Sequence, residues 1–177
     1  MFQVTPTFND HVTADIYTSP HGQKYAGIGS RETPQSHLQV IKEIAEYLNG
    51  YDYTCVSGGA DGADTAFAEA AVSLEVWRPH QASIEAYEIA ADFHPAWSHL
   101  SKEAKALHAR NVHIILGADC DTPVQFVVAY TKNGQMLGGT AQGLRIAKAH
   151  RIPIFNLGDW GCDSVEAFKS WFGRARN

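Results

Sequence analysis

Three times along this chain an apolar, strand-like run ends in a glycine-bearing turn, and a helical pattern follows. The first is Tyr25-Ala26-Gly27-Ile28-Gly29-Ser30-Arg31, and the second runs from Tyr53 to Ser57 into Gly58-Gly59-Ala60-Asp61-Gly62-Ala63-Asp64. The third is Val124 to Thr131, followed by a loop holding Gly138, Gly139 and Thr140. Repeated strand, turn and helix predict a parallel sheet with right-handed crossovers, because a parallel strand is reached only through a crossover connection. The expected fold is a Rossmann-like three-layer α/β sandwich with a mainly parallel sheet in the order 3-2-1-4-5.

The intervening segments complete that reading. After Thr33-Pro34, a cap and a first-turn proline, the residues Val40, Ile41, Ile44, Ala45 and Leu48 form one apolar stripe of a helix ending near Asn49-Gly50. An alanine-rich helix is expected over 63–72, a strand over 74–79, and helical structure over 83–116 broken at His94-Pro95. Val112 to Leu116 reads equally as a helix end or as a short strand. Ile152 to Leu157 is a last strand, and Asp163 to Phe172 a last helix capped by Asp163 or Ser164. Residues 1–22 read as an irregular arm, and the 177 residues as a single nucleotide-binding domain.

Composition narrows the partners. The formal net charge is −5, so the chain as a whole does not attract nucleic acid or an anionic membrane, and phosphate binding must come from local geometry. No apolar run approaches the ~18 to 20 residues of a membrane span, and the N-terminus has no signal-peptide pattern, so a cytoplasmic location is expected. Three widely spaced cysteines argue against a disulfide framework. No histidine pair has metal-ligand spacing, Asp92, His94 and His99 included, so no metal or cofactor is expected.

In an open parallel sheet, ligands bind beyond the carboxyl ends of the strands where the strand order reverses. That point lies between the first strand and the Val124 strand. Gly29-Ser30-Arg31 and Gly138-Gly139-Thr140 then face one crevice, with Ser57-Gly58-Gly59 beside them. Glycines let backbone N–H groups approach phosphate oxygens, Ser30 and Thr140 offer hydroxyls, and Arg31 offers a two-pronged guanidinium. Asp61 and Asp64 suit ribose hydroxyls or helix capping. Thr131, at the end of the Val124 strand, joins the expected ligand-binding set. Glu32 stands where a dinucleotide fingerprint needs its third glycine, so a dinucleotide dehydrogenase is not expected.

Together with His108-Ala109-Arg110-Asn111 and Ile152 to Leu157, these turns resemble the superfamily that joins DNA-processing protein A with the Lonely Guy phosphoribohydrolases, and most closely its small phage-borne members. The matching pieces cover most of residues 24–157. The resemblance implies that Val112 to Leu116 ends a long helix and that Arg110 and Asn111 reach the ligand phosphate or sugar. It also implies homo-oligomers, for which a face bearing Trp97 and Leu100 is a candidate. Lonely Guy enzymes carry Pro-Gly-Gly-x-Gly-Thr-x-x-Glu. Here Leu137 replaces the proline, and Gln142-Gly143 stand where the acid is expected. An amide cannot serve as that acid. Candidate catalytic groups are therefore Arg110 with Asp64, Glu69 or Glu85.

Three functions follow as expectations. The first is a binding protein for a nucleotide or its derivative, with Gln142 among its contacts. The second is a nucleoside-monophosphate phosphoribohydrolase. The third, not favoured by net charge, is single-stranded DNA binding through a patch such as Arg31, Arg110, Arg145, Lys148, His150 and Arg151.

Overall fold

The computed structural model describes residues 22–175. Five strands, β1 (Lys24–Gly29), β2 (Thr54–Ser57), β3 (Ser73–Val76), β4 (Phe126–Tyr130) and β5 (Ile154–Asn156), form one sheet in the order β3-β2-β1-β4-β5. Every pairing is parallel, with Gly29 opposite Tyr130 and Tyr25 opposite Cys55. The three-layer fold and strand order expected from the sequence are borne out, and the sheet is parallel throughout.

Among the described residues, six α-helices cover the two faces: α1 (Gln35–Asn49), α2 (Ala63–Ala70), α3 (Ile84–Phe93), α4 (Lys102–Leu116), α5 (Gly138–Ala149) and α6 (Val165–Ala175). Successive strand side chains point to opposite faces, so β4 divides its residues between two cores. Val127 and Ala129 join Ala26 and Ile28 under α3, α4 and α5, where Ala90, Val112, Ile115 and Leu144 are buried. Phe126, Val128 and Tyr130 join Tyr25 on the other face, against Ile41, Ile44 and Leu48 of α1, Phe67 of α2, and Phe168 and Phe172 of α6. Burial of such side chains contributes roughly 1.5–3 kcal/mol each.

Several boundaries differ from expectation for local reasons. Pro34 stands at the N-cap of α1, while the Thr33 hydroxyl donates to the Ser30 carbonyl at 2.6 Å instead of capping the helix. The 83–116 region is α3, a 3₁₀ turn at Trp97–His99, and α4. Ser83 and Ser101 cap α3 and α4 by accepting the Ala86 and Ala104 N–H groups, each at 3.1 Å. Val112 to Leu116 is the end of α4. Ser164 accepts the Ala167 N–H at the start of α6. Trp97 is half-buried, its ring edge-on to Tyr87 and under the Lys105 ammonium. The N-terminal arm lies outside the described residues save Gly22. No helix among the described residues is long and apolar enough to cross a membrane.

Candidate functional site

At the carboxyl rim, the β1 and β4 turns diverge to opposite faces of the sheet and leave a cleft of about 480 Å³ between them. Gly29, Ser30 and Arg31 form one wall, Gly138, Gly139 and Thr140 another, and α4 closes the back with His108, Arg110 and Asn111. Asp64 and Ala60 enter from the β2 turn, and Thr131 and Lys132 from the end of β4. The turn after β2 can approach so closely because it contains Gly62. At φ +80°, that residue packs against the Ser30 and Arg31 carbonyls, where a Cβ would overlap both.

Gly138 to Thr140 is not a free loop but the first turn of α5. Leu137, at the N-cap, provides no side-chain hydrogen bond, and first-turn N–H groups have no acceptor within the helix. Methyl groups added at Gly138 or Gly139 would meet open space. The positive end of α5 is thus bare toward the cleft. Asn111 anchors this turn from across the cleft, donating from Nδ2 to the Gly139 carbonyl at 3.1 Å.

Arg110 is 7% exposed and lines the cleft from below. Its Nη1 donates to the Trp77 carbonyl at 3.3 Å, while its Nε is buried without a partner. The guanidinium lies against Gly58. Beside it, Asp64 accepts the Ala60 N–H at 3.2 Å and is 6% exposed. Burial pushes the Asp64 carboxyl above the usual carboxylate range, partly offset by the Ala60 N–H, the Arg110 charge, and the Gly58 and Gly29 N–H groups. His108 also lines the cleft, with its ring 4.4 Å from that of His94 and its Nδ1 buried without a partner. Burial, then the charges of His94, Arg145 and Arg110, lower it to about 4, so its imidazole is neutral at physiological pH.

The comparisons with known proteins agree with this architecture. Residues 15–77 match the family model described as DNA recombination-mediator protein A. A solved structure of DNA processing protein A from Helicobacter pylori superposes with a TM-score of 0.58, covering 86% of this chain and 80% of that one at 19% identity. The fold is that of DNA-processing protein A. The resemblance to DNA-processing protein A read from the glycine turns is therefore borne out, and no curated protein matches the chain. The work on the Helicobacter pylori protein describes a unique single-stranded DNA binding mode of DNA processing protein A.

Within this DNA-processing-protein-A-like fold, the expected ligand set divides. Gly29, Ser30, Arg31, Asp64, Arg110, Asn111, Thr131, Gly138, Gly139 and Thr140 come together around the cleft. Ser57 does not line it, because its buried hydroxyl donates to the Gly27 carbonyl at 2.7 Å inside the sheet. Gly58 and Gly59 are covered by the chain's own Arg110 and Arg78. Gln142 turns away. It is fully buried, donates from Nε2 to the Ala90 carbonyl at 2.8 Å and accepts from Arg145 at 3.0 Å. Of the catalytic candidates, Glu69 pairs with Lys42 on the helical face, and Glu69 and Glu85 are both absent from the cleft lining. The proposed basic patch is also divided, since Arg31 and Arg110 line the cleft while Arg145 binds the Phe93 carbonyl.

Sequence reasoning missed His108, Lys132 and Gln135 as lining residues. The signal for His108 was present. Ala104, Leu107, His108, Asn111 and Ile115 recur at helical spacing on the face of α4 that meets the cleft. Among the described residues no group of three metal-ligating side chains comes together.

Proposed function

We propose that the chain binds a nucleotide or nucleotide derivative in this cleft, holding its phosphate between Arg110 and the first turn of α5. One observation carries the reading: a nine-tenths-buried arginine with an unpartnered Nε faces the same space as an uncapped helix N-terminus. A buried charged donor without an acceptor is costly, and a phosphate supplies acceptors for both elements. Ser30, Arg31 and Thr140 add donors at the mouth. Among the described residues, Asp64 is the single carboxylate lining the cleft, which suits binding better than turnover.

Calorimetry with AMP, ADP-ribose, NAD and cyclic nucleotides tests this reading. Binding that falls at least about tenfold in Arg110→Lys, which keeps the charge but loses the fork, is the expected result. Failure of the folded chain to bind any of them sinks the proposal.

A second reading, single-stranded DNA, is favoured by the solved relative and by Arg31 and Lys132 at the lip of the cleft. Its signature is oligonucleotide binding with a log-log salt slope of about −0.7 per phosphate contacted. Equal affinity for a mononucleotide and an oligonucleotide, with no salt slope, excludes it.

A further inference from the structure

Asp64 is an unusual neighbour for a phosphate site. Its carboxylate sits at the start of α2, beside the Ala60, Gly58 and Gly29 N–H groups that belong to the two glycine turns. The charged and titratable groups around it come from several elements. From α4 comes Arg110, which itself feels Arg78 beyond β3 and Arg31 beyond β1. From β2 comes Cys55, deep in the core. His108 and Lys132 also line the cleft. On α2, Glu69 turns outward to Lys42 of α1. Among these, Arg110 is the cation that offsets the Asp64 charge directly.

We propose that Asp64 takes up a proton when an anionic ligand occupies the cleft, so that ligand binding and protonation of this carboxyl are one linked event. The inference rests on the phosphate reading above. A phosphate that engages the Arg110 guanidinium draws on the positive charge that stabilises the carboxylate and brings its own negative charge into the same dry wall. Two anions sharing one site raise the proton affinity of the weaker acid. Burial has already displaced Asp64 in that direction. The protonated carboxyl then has an O–H to donate to a phosphate or ribose oxygen, which a carboxylate lacks. Because the complex binds more protons than the free protein, affinity rises as pH falls, by at most about tenfold per pH unit for one linked proton.

The test is calorimetric titration with ADP-ribose, whose phosphate groups have no proton to exchange near neutrality. It is run at about pH 6, above the ordinary carboxylate range, in two buffers of different ionisation enthalpy. The expected result is a buffer-dependent binding enthalpy corresponding to uptake of up to one proton, lost in Asp64→Asn and retained in His108→Gln. Binding with the same enthalpy in both buffers overturns the proposal and leaves the phosphate reading intact. Uptake that vanishes in His108→Gln moves the proton to the histidine and likewise overturns it. Absence of ADP-ribose binding overturns this proposal, whereas the phosphate reading falls only when AMP, NAD and cyclic nucleotides fail to bind as well. Should Asp64→Asn fail to fold, the two-buffer comparison on the wild type and His108→Gln still decides.

Discussion

Asn156 holds Thr131 at two points: its Oδ1 accepts the Thr131 N–H at 3.0 Å, and its Nδ2 donates to the Thr131 hydroxyl at 2.7 Å. The same Oδ1 accepts the Gly158 N–H at 3.0 Å. One side chain at the end of β5 thereby fixes the end of β4, where the cleft begins. Asn156→Ala leaves the buried Thr131 N–H without an acceptor, at a cost of about 1–3 kcal/mol. Urea unfolding should show a lower midpoint with an unchanged slope, and nucleotide binding should weaken through displacement of the Thr131 turn.

Gly58 separates stability from binding in another way. An alanine methyl there would overlap the Arg110 guanidinium, the movable end of a long side chain. The guanidinium must swing away, so the fold should survive with about 1 kcal/mol of change or less, while ligand affinity falls about tenfold or more. Equal affinity in Gly58→Ala and wild type would remove Arg110 from the phosphate site.

At Gly139 the two effects have opposite signs. The residue lies in the first turn of α5 with ordinary backbone angles and open space at its Cβ position. Gly139→Ala should stabilise the protein by up to about 0.5–1 kcal/mol through reduced chain entropy. The same methyl stands where a phosphate oxygen approaches, so affinity should drop as the melting temperature rises. Gly138→Ala differs, because Gly138 sits at φ +73° and a side chain there is strained by about 1–2 kcal/mol.

His108 makes stability depend on pH. Its folded value of about 4 lies below the ordinary 6.5, so between those values the unfolded chain binds more protons than the folded one. Stability contributed by neutral His108 is therefore complete above about pH 6.5 and declines as pH falls toward about 4. Denaturant midpoints measured across that window should fall less steeply in His108→Gln than in the wild type.

The strand, glycine turn and helix pattern made the sheet order legible because each crossover is short and each strand is marked by β-branched or aromatic residues. Phe126 to Tyr130 is buried throughout, as its sequence suggested. The rim was legible where glycine and hydroxyl residues follow a strand directly, as at Gly29-Ser30-Arg31. It was not legible at Gln142. Treating Gly138 to Thr140 as a loop left the helix phase undefined, whereas α5 starts at Gly138 and rotates Gln142 onto Ala90 of α3. Ser57 failed for a different reason: the expected strand already ended there, but its hydroxyl is taken by the Gly27 carbonyl of the neighbouring strand. The first error is one of where an element begins and the second one of which neighbour a strand end meets, and tertiary packing decides both.

The bond from Asn111 to the Gly139 carbonyl joins the back wall of the cleft to its front lip. A mouth braced in this way should keep one aperture as ligand enters. Capture should then proceed in a single kinetic phase whose rate grows linearly with ligand concentration, without a slow rearrangement behind it. Cutting that brace with Asn111→Ala should let the lip wander and slow productive encounter.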